Sequence, residues 1–247
     1  MAVARRTALG AGAAAMVVSA ILALGPTDRR NDHVTRIYAE DILATLEPGS
    51  IFLVHGDHVV FPIEYLQVVE GVRPDVMVVI LSLLYSDWYV RQLHERYPTL
   101  VVPFTAWDGQ PASLKALIDA NPGHEIAVQP DMTPEGNVAF GVDVGRDYEA
   151  RGLLLRLIPR DAVLDPAAIT AQNTRLLSIY RPPSLDAVRR RFWERIYLAD
   201  YGLVAYRVGR LFELAQVPAE ARRWYTRALT IDPELPEAQR GLARLPR

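Results

Sequence analysis

The chain alternates short apolar runs with segments in which apolar residues recur every three or four positions. Residues 33–46 have helical spacing, and 51–54 form a short apolar run that is typical of a buried strand. A predicted helix with Pro62 in its first turn ends near residue 70 and separates this strand from a second apolar run at 76–81. The order strand, helix, strand predicts a βαβ unit and therefore a parallel sheet.

The alternation of strands and helices continues to about residue 165. Because no long helix separates the last three strand signals, we expect an antiparallel extension at one edge of the sheet. The pattern predicts an α/β fold with a Rossmann-like, mostly parallel sheet. The further predicted elements are a helix capped by Ser86, a strand at 100–102, a helix at 113–120, and strands at 125–129, 138–144 and 152–158.

Only helical patterns follow, at 166–179 and again from Ser184 onward. The spacing within the last helical pair is that of a tetratricopeptide repeat, which we place at about 202–235, with a final partial helix at 236–244. A single repeat cannot bury its faces alone, so it must pack on the rest of the chain or on another protein. The residues that carry the spacing are Gly209, Phe212, Ala221, Tyr225, Ala228 and Pro233.

Residues 8–25 are eighteen consecutive uncharged residues that follow Arg5 and Arg6. They are long enough for a short membrane-spanning helix, although the basic start also suits a cleaved export signal. We predict a single-pass membrane protein with residues 28–247 on the extracytoplasmic side, and a secreted or periplasmic protein as the alternative. The glycines at 10–15 formally fit a dinucleotide-binding motif, but no strand precedes them and we reject that reading.

These patterns divide the chain into an anchor or uncleaved signal at 1–27, an α/β domain at 28–165 and a helical tail at 166–247. Residues 28–174 carry 11 basic and 21 acidic side chains, whereas residues 175–247 carry 14 arginines and 8 acidic side chains. The acidic body argues against nucleic acid as a partner. The absence of cysteine excludes disulfides, thiol nucleophiles and cysteine-based zinc sites.

A family resemblance is carried by residues 55–76, which begin His-Gly-Asp-His-Val-Val-Phe-Pro, and it continues through 81–89. These residues, with Arg30-Asn31-Asp32, resemble the extracytoplasmic C-terminal region of multi-spanning GT-C proteins related to protein O-mannosyltransferases. The family usually has Asn-Asp where this chain has His58 and Val59. The resemblance implies that lipid-linked sugar chemistry takes place among membrane helices outside this region.

Ligands of open α/β sheets bind beyond the carboxyl ends of the strands. A sugar or phosphate pocket is one reading of the polar residues there, and a metal site of two histidines and an aspartate is another. In a purely structural reading, Asp57 caps a helix and the histidines bond loop carbonyls. We predict no cofactor and no metal. The candidate ligand-binding residues are His55, Asp57 and His58 after the first strand, and Ser82, Tyr85 and Asp87 after the second.

The resemblance favours a membrane-tethered accessory or interaction domain of a GT-C-type glycosyltransferase system, with a multi-spanning membrane protein or an acceptor protein as its partner. The alternative is an independent exported α/β enzyme or a sugar- or phosphate-binding protein that uses the His55–Asp57–His58 edge. No G-x-S-x-G, P-loop or H-E-x-x-H motif is present to support an independent enzyme. Enzymatic activity stays open, because the resemblance is to glycosyltransferases whose catalytic membrane portion is expected outside this region. The candidate partner-binding residues are Arg189, Arg190, Tyr206, Arg210 and Arg223.

Overall fold

The computed structural model describes residues 15–20, 33–130, 144–185, 188 and 192–246. Met1–His33 form one unit, in which residues 15–20 are helical. Val34–Arg247 form a second compact unit. Within the described ranges, no helix combines the length and the apolar character that a membrane span requires. Most of the predicted span at 8–25 lies outside those ranges.

The helices and strands of the second unit are numbered in chain order. The first elements are α1 (Val34–Thr45), β1 (Ile51–Val54), α2 (Asp57–Val68), β2 (Met77–Ile80), a 3-10 turn (Leu81–Leu83), α3 (Asp87–Arg96), α4 (Pro111–Asp119) and β3 (Ile126–Val128). They are followed by β4 (Asp147–Arg151), β5 (Leu154–Ile158), α5 (Pro166–Ile179), α6 (Phe192–Leu214), α7 (Pro218–Ile231) and α8 (Pro236–Arg244).

The described strands form one sheet in the order β2-β1-β3-β5-β4. Strand β1 pairs in parallel with β2 and β3, whereas β5 pairs antiparallel with β3 and β4. All residues of β1 and β2 are buried, as expected for strands covered on both faces. The α/β class is therefore confirmed, but the sheet is mixed rather than mostly parallel.

The antiparallel extension occurs where it was predicted, although its strands differ. Most of the predicted strand at 138–144 lies outside the described residues, and Val144 is not in a strand. The polar segment Asp147–Arg151 forms β4 instead, and Glu149 lies opposite Arg156 with 2.7 Å between their charged groups. Cross-strand charge pairing thus stabilises a strand that hydrophobic alternation does not reveal.

The predicted strand at 100–102 is wrong. Val101 donates its backbone N–H to Asn121 Oδ1 at 2.9 Å, and its carbonyl accepts from Asn121 Nδ2 at 2.8 Å. Asn121 is buried at the end of α4. One side-chain amide therefore satisfies the backbone groups that a neighbouring strand would otherwise pair.

Helix α2 begins earlier than predicted, at Asp57, so Pro62 lies inside it rather than in its first turn. Gly56 makes this start possible, because its φ of +83° turns the chain directly from β1 into the helix. Pro62 has no N–H to donate to the carbonyl four residues earlier, which belongs to His58. That carbonyl accepts a hydrogen bond from the Tyr197 hydroxyl at 3.3 Å instead.

The helical tail packs on α1 through tyrosine and aspartate pairs. The Tyr38 hydroxyl donates to Asp200 Oδ2 at 2.5 Å, and the Tyr201 hydroxyl donates to Asp41 Oδ2 at 2.7 Å. Burial raises the pKa of the Asp200 carboxyl to about 6, although its bond from Tyr38 and nearby Arg207 lower it. Tyr201 belongs to the same buried cluster as β1 and β2, so α6 shares the core of the sheet.

Helices α6, α7 and α8 pack around the ring of Tyr225. A Cβ atom at Gly209 or Gly241 would lie only 2.6 or 2.7 Å from this ring, and Tyr206 stacks on it at a centroid distance of 5.5 Å. The absence of side chains at Gly209 and Gly241 therefore sets the close approach of the three helices. The assignment of a tetratricopeptide repeat stays a prediction.

Candidate functional site

The carboxyl ends of β1 and β2 lie side by side, because Val54 is in register with Ile80. The loop that starts at His55 and the turn that contains Ser82 are consequently neighbours, as the topology of the predicted βαβ unit requires. Whether the side chains at these ends bind a ligand stays a prediction.

Gln129 joins this group although the sequence analysis did not select it. It follows β3 and is buried, its backbone N–H donates to the Leu53 carbonyl at 3.1 Å, and its Oε1 accepts from the His55 N–H at 3.3 Å. A polar residue directly after the apolar run 126–128 was the available signal. Gln129 fixes the backbone of the loop that follows β1.

His58 lies in the first turn of α2 and is partly buried. Burial and the nearby His55 lower the pKa of its imidazole, while Asp57 opposes this shift. Its Nε2 atom is buried and has no hydrogen-bond partner among the described residues. His58 is thus held as a neutral ring that can donate or accept one hydrogen bond.

Tyr85 and Trp107 form an aromatic pair beyond β2, with ring centroids 4.9 Å apart. Tyr85 is 56% exposed, and the Trp107 backbone N–H donates to the Leu84 carbonyl at 2.7 Å. Ser82 is also exposed. The two rings are tilted by 36°, and Trp107 is half-buried, so the exposed part of the pair is mainly the Tyr85 ring with its hydroxyl.

Asp87 and Asp57 each lie in the first turn of a helix. Asp87 is exposed at the start of α3, and its carboxylate pairs with Arg91 at 2.6 Å, which lowers its pKa. Asp57 is exposed at the start of α2, where the positive end of the helix favours a carboxylate. Within the described residues, no group of three or more histidines and carboxylates is arranged to hold a metal ion.

The predicted site residues therefore supply an exposed serine, an exposed tyrosine, two exposed carboxylates and an imidazole whose lowered pKa favours its neutral form. Such groups suit a neutral, hydroxyl-bearing ligand better than a highly charged one.

A second surface was missed by the sequence analysis. Helix α2 and the residue that caps its C-terminus expose four apolar side chains, which we call the α2 face. They are Phe61, Tyr65, Val68 and the cap Val69, with 65%, 52%, 66% and 67% of their surfaces accessible. Phe61, Tyr65 and Val68 are spaced so that they share one side of the helix. Contiguous exposed apolar side chains are a signature of an interaction surface. The signal was available, because residues 59–69 contain only two polar side chains, Glu64 and Gln67, which is more apolar surface than one buried helix face needs.

The predicted partner-binding residues of the tail differ in how far their side chains are already engaged within the protein. Tyr206 stacks on Tyr225, and Arg210 pairs with Glu213 at 2.6 Å. The Arg223 side chain is 80% exposed and lies 3.8 Å from Glu220. Arg189 and Arg190 lie outside the described residues.

Residues 35–108, which contain the carboxyl-end loops of β1 and β2 and the α2 face, match the family model of TMEM260-associated domain 2. Protein O-mannosyl-transferase TMEM260 from Mus musculus is 23% identical over 224 residues, covering 84% of this chain and 31% of the mouse protein. The chain therefore matches less than a third of the length of this curated relative. No solved structure matches the chain significantly. The chain is thus similar to the C-terminal region of GT-C protein O-mannosyltransferase-like proteins, as its sequence predicted.

Proposed function

We propose that this chain is the extracytoplasmic accessory part of a GT-C-type protein O-mannosyltransferase system. In this proposal residues 8–25 hold it at the membrane, and the α/β part docks on the multi-spanning part of the system. The basic tail binds protein, either the acceptor or a further subunit. Transfer of the sugar takes place on the multi-spanning part.

The observation that carries the proposal is the α2 face. It lies within the residues that match TMEM260-associated domain 2, and it exposes two aromatic and two aliphatic side chains on α2 and its C-terminal cap. Covering this surface with a partner would stabilise the complex, because burial of apolar area is the main favourable contribution to the free energy of association. The predicted sugar-type ligand site lies at the neighbouring carboxyl ends of β1 and β2.

The proposal is tested by removing the chain from its source cells and measuring O-linked mannose on exported proteins by mass spectrometry. We expect the O-mannose content to fall and the wild-type chain to restore it. A Phe61→Ser/Tyr65→Ser variant should restore it poorly, because the docking surface is lost. The purified chain alone should not transfer mannose from a lipid-linked donor. An unchanged O-mannose content in the deletion cells would contradict the proposal.

The second candidate is an independent exported protein that binds a sugar or phosphate, or acts on it, at the His55–Asp57–His58 edge. The neutral imidazole of His58 and its unpaired Nε2 favour this alternative. A double variant, Asp57→Ala/His58→Ala, separates the two candidates. It should abolish ligand binding if the second is correct, and leave partner association intact if the first is correct.

The matched control changes the same residue types at exposed positions, His94→Ala with Asp161→Ala. It should leave both ligand binding and partner association unchanged. Thermal unfolding of both double variants checks that any loss reflects the site rather than the fold.

A further inference from the structure

Helix α7 has one buried side and one exposed side. The buried side packs on the neighbouring helices through Ala221, Trp224, Tyr225 and Ala228. The opposite side, which we call the α7 face, consists of Arg222, Arg223, Thr226, Arg227 and Thr230, of which Arg227 is partly buried and the others are exposed. The helix contains three arginines and one glutamate, which gives it a net charge of +2.

The positive charges of the α7 face are poorly compensated within the described residues. Arg222 donates to the backbone carbonyl of Pro246, which carries no charge. Arg223 lies 3.8 Å from Glu220, and such an exposed pair contributes little. On the neighbouring helices α6 and α8, by contrast, three arginines each lie within 3.2 Å of a glutamate, Arg210 and Arg244 at Glu213 and Arg240 at Glu237.

Arg227 is the least compensated of the three arginines. Its guanidinium group lies over the Trp224 ring, 5.0 Å from the centroid, and forms no ion pair within the described part of the chain. Partial burial and the nearby Arg223 lower its pKa. Its nitrogen atoms are not among the fully buried atoms that lack a partner, so an anion can reach them. Because a partly desolvated charge without a partner is costly, a bound anion would stabilise this position.

The α7 face favours one class of anion. Helix α7, all of whose residues are described, exposes no large apolar side chain, whereas helices that lie on a lipid surface expose an apolar side. The three guanidinium groups make three separate contacts instead of converging on one point. This spread suits several carboxylates along a polypeptide better than a single phosphate. The acidic body at 28–174 argues against a nucleic acid.

We propose that the α7 face binds an acidic segment of a partner protein, whose glutamate or aspartate side chains pair with Arg223 and Arg227. At 100° per residue, Thr226 and Thr230 lie between Arg222 and Arg223 around the helix, and their small side chains leave room for the bound segment. Both threonine hydroxyls already donate to carbonyls within α7. This inference rests on the proposed binding of protein by the basic tail, and it names the face and the chemistry of the partner.

The test titrates the purified full chain in mild detergent with a fluorescent peptide of alternating glutamate and glycine, followed by fluorescence anisotropy. Saturable binding is expected, and it should weaken as the salt concentration rises from about 0.05 M to about 0.3 M, because salt screens exposed charges. The same peptide with glutamine in place of glutamate should not bind. Phosphatidylserine added to the detergent micelles should not displace the glutamate peptide.

Two variants of the α7 face sharpen the test. Arg223→Gln/Arg227→Gln should weaken binding about tenfold, because two charge-assisted contacts are lost. The matched control, Arg91→Gln/Arg175→Gln, lowers the net charge equally at exposed positions outside α7 and should bind like wild type. If loss of the contact with Trp224 unfolds the double variant, Arg223→Glu changes only an 80% exposed side chain and should also weaken binding, with Arg91→Glu as its control.

Three results would overturn the inference. They are equal binding of the glutamate and glutamine peptides, binding by the α7-face variants as tight as that of their controls, and displacement of the glutamate peptide by phosphatidylserine. The titration uses only the purified chain, whereas the O-mannose content of the deletion cells tests the proposed function. The inference and the proposed function can therefore fail separately.

Discussion

The parallel part of the sheet, β2-β1-β3, and the antiparallel part, β3-β5-β4, hold their polar groups in different ways. Strands β1 and β2 contain only apolar, buried residues, and their polar groups begin where the strands end. Strands β4 and β5 instead carry Glu149, Arg151 and Arg156 within the strands, where they pair with acidic or basic neighbours. The parallel part therefore carries its polar side chains in the loops beyond the strands, where substitutions do not disturb the sheet. The antiparallel part carries charged side chains within the strands, where ion pairs fix them.

We expect the largest difference in stability when one glycine of each part is replaced by alanine. At Gly152, in the β4–β5 turn, a Cβ atom would lie 1.9 Å from the Tyr180 hydroxyl, which is also 2.5 Å from Thr45 Oγ1. At Gly56, after β1, a Cβ atom would lie 3.0 Å from Cε1 of the His58 side chain. We therefore expect Gly152→Ala to lower the free energy of unfolding by about 3 kcal/mol and Gly56→Ala by about 1 kcal/mol.

Urea denaturation measures both effects, with Gly123→Ala as the control because a Cβ atom there would meet nothing within 4 Å. Equal losses of unfolding free energy for Gly152→Ala and Gly56→Ala would show that the antiparallel part does not resist an added side chain more than the parallel part does.

The next largest difference in stability is expected between the loss of a buried arginine and the loss of an exposed one. Arg151 is 10% exposed and bridges Glu125 and Glu47, whereas Arg91 is 65% exposed and pairs only with Asp87 among its described ionic partners. Arg151→Ala leaves the mostly buried Glu125 carboxylate with Arg156, 3.6 Å away, as its remaining ionic partner among the described residues. It should cost about 2 kcal/mol, the loss of a hydrogen bond between charged groups. Arg91→Ala should cost less than about 0.5 kcal/mol, since exposed pairs contribute little. Chemical denaturation at two salt concentrations would contradict this view if both losses were small and equally salt-dependent.

The smallest effect is a difference in pH dependence. Because burial lowers the pKa of His58 below its ordinary value of 6.5, its contribution to stability is complete above pH 6.5 and is lost as the pH falls below it. Arg73 and the Gly49 N–H lower the pKa of Asp75 from 3.8 to about 2, so that contribution is lost only as the pH falls from 3.8 toward 2.

Two variants separate these pH windows. His58→Gln should flatten the dependence of thermal stability on pH just below 6.5, and Asp75→Asn should flatten it only below pH 4. A His58→Gln profile that still falls with the wild-type slope between pH 6.5 and 5 would show that another group titrates there.

The sequence predicts the parallel part of the fold well because its strands are short, continuous apolar runs bounded by turn residues. It fails at β4, whose residues Asp147–Arg151 are mostly polar and are held by pairing with β5. It also fails at Leu100–Val102, where the Asn121 side chain takes the place of a neighbouring strand. In both places a contact distant in sequence decides the local structure.

The same limit applies to the candidate site. The topology of a βαβ unit predicts that His55 and Ser82 lie at neighbouring strand ends, because register follows from the apolar runs. Gln129 and the α2 face need the tertiary structure, since only the packing of α2 shows which of its apolar side chains stay exposed.

The most direct test of the proposed accessory role is affinity purification of the tagged chain from its native membranes in mild detergent, with mass-spectrometric identification of what accompanies it. The account predicts a multi-spanning GT-C protein with the wild-type chain, and its loss in Phe61→Ser/Tyr65→Ser. The control variant Val163→Ser/Leu214→Ser, which changes two exposed apolar residues outside the α2 face, should retain this partner. A monodisperse chain without such a partner, or a partner retained by the α2-face variant, would contradict the account.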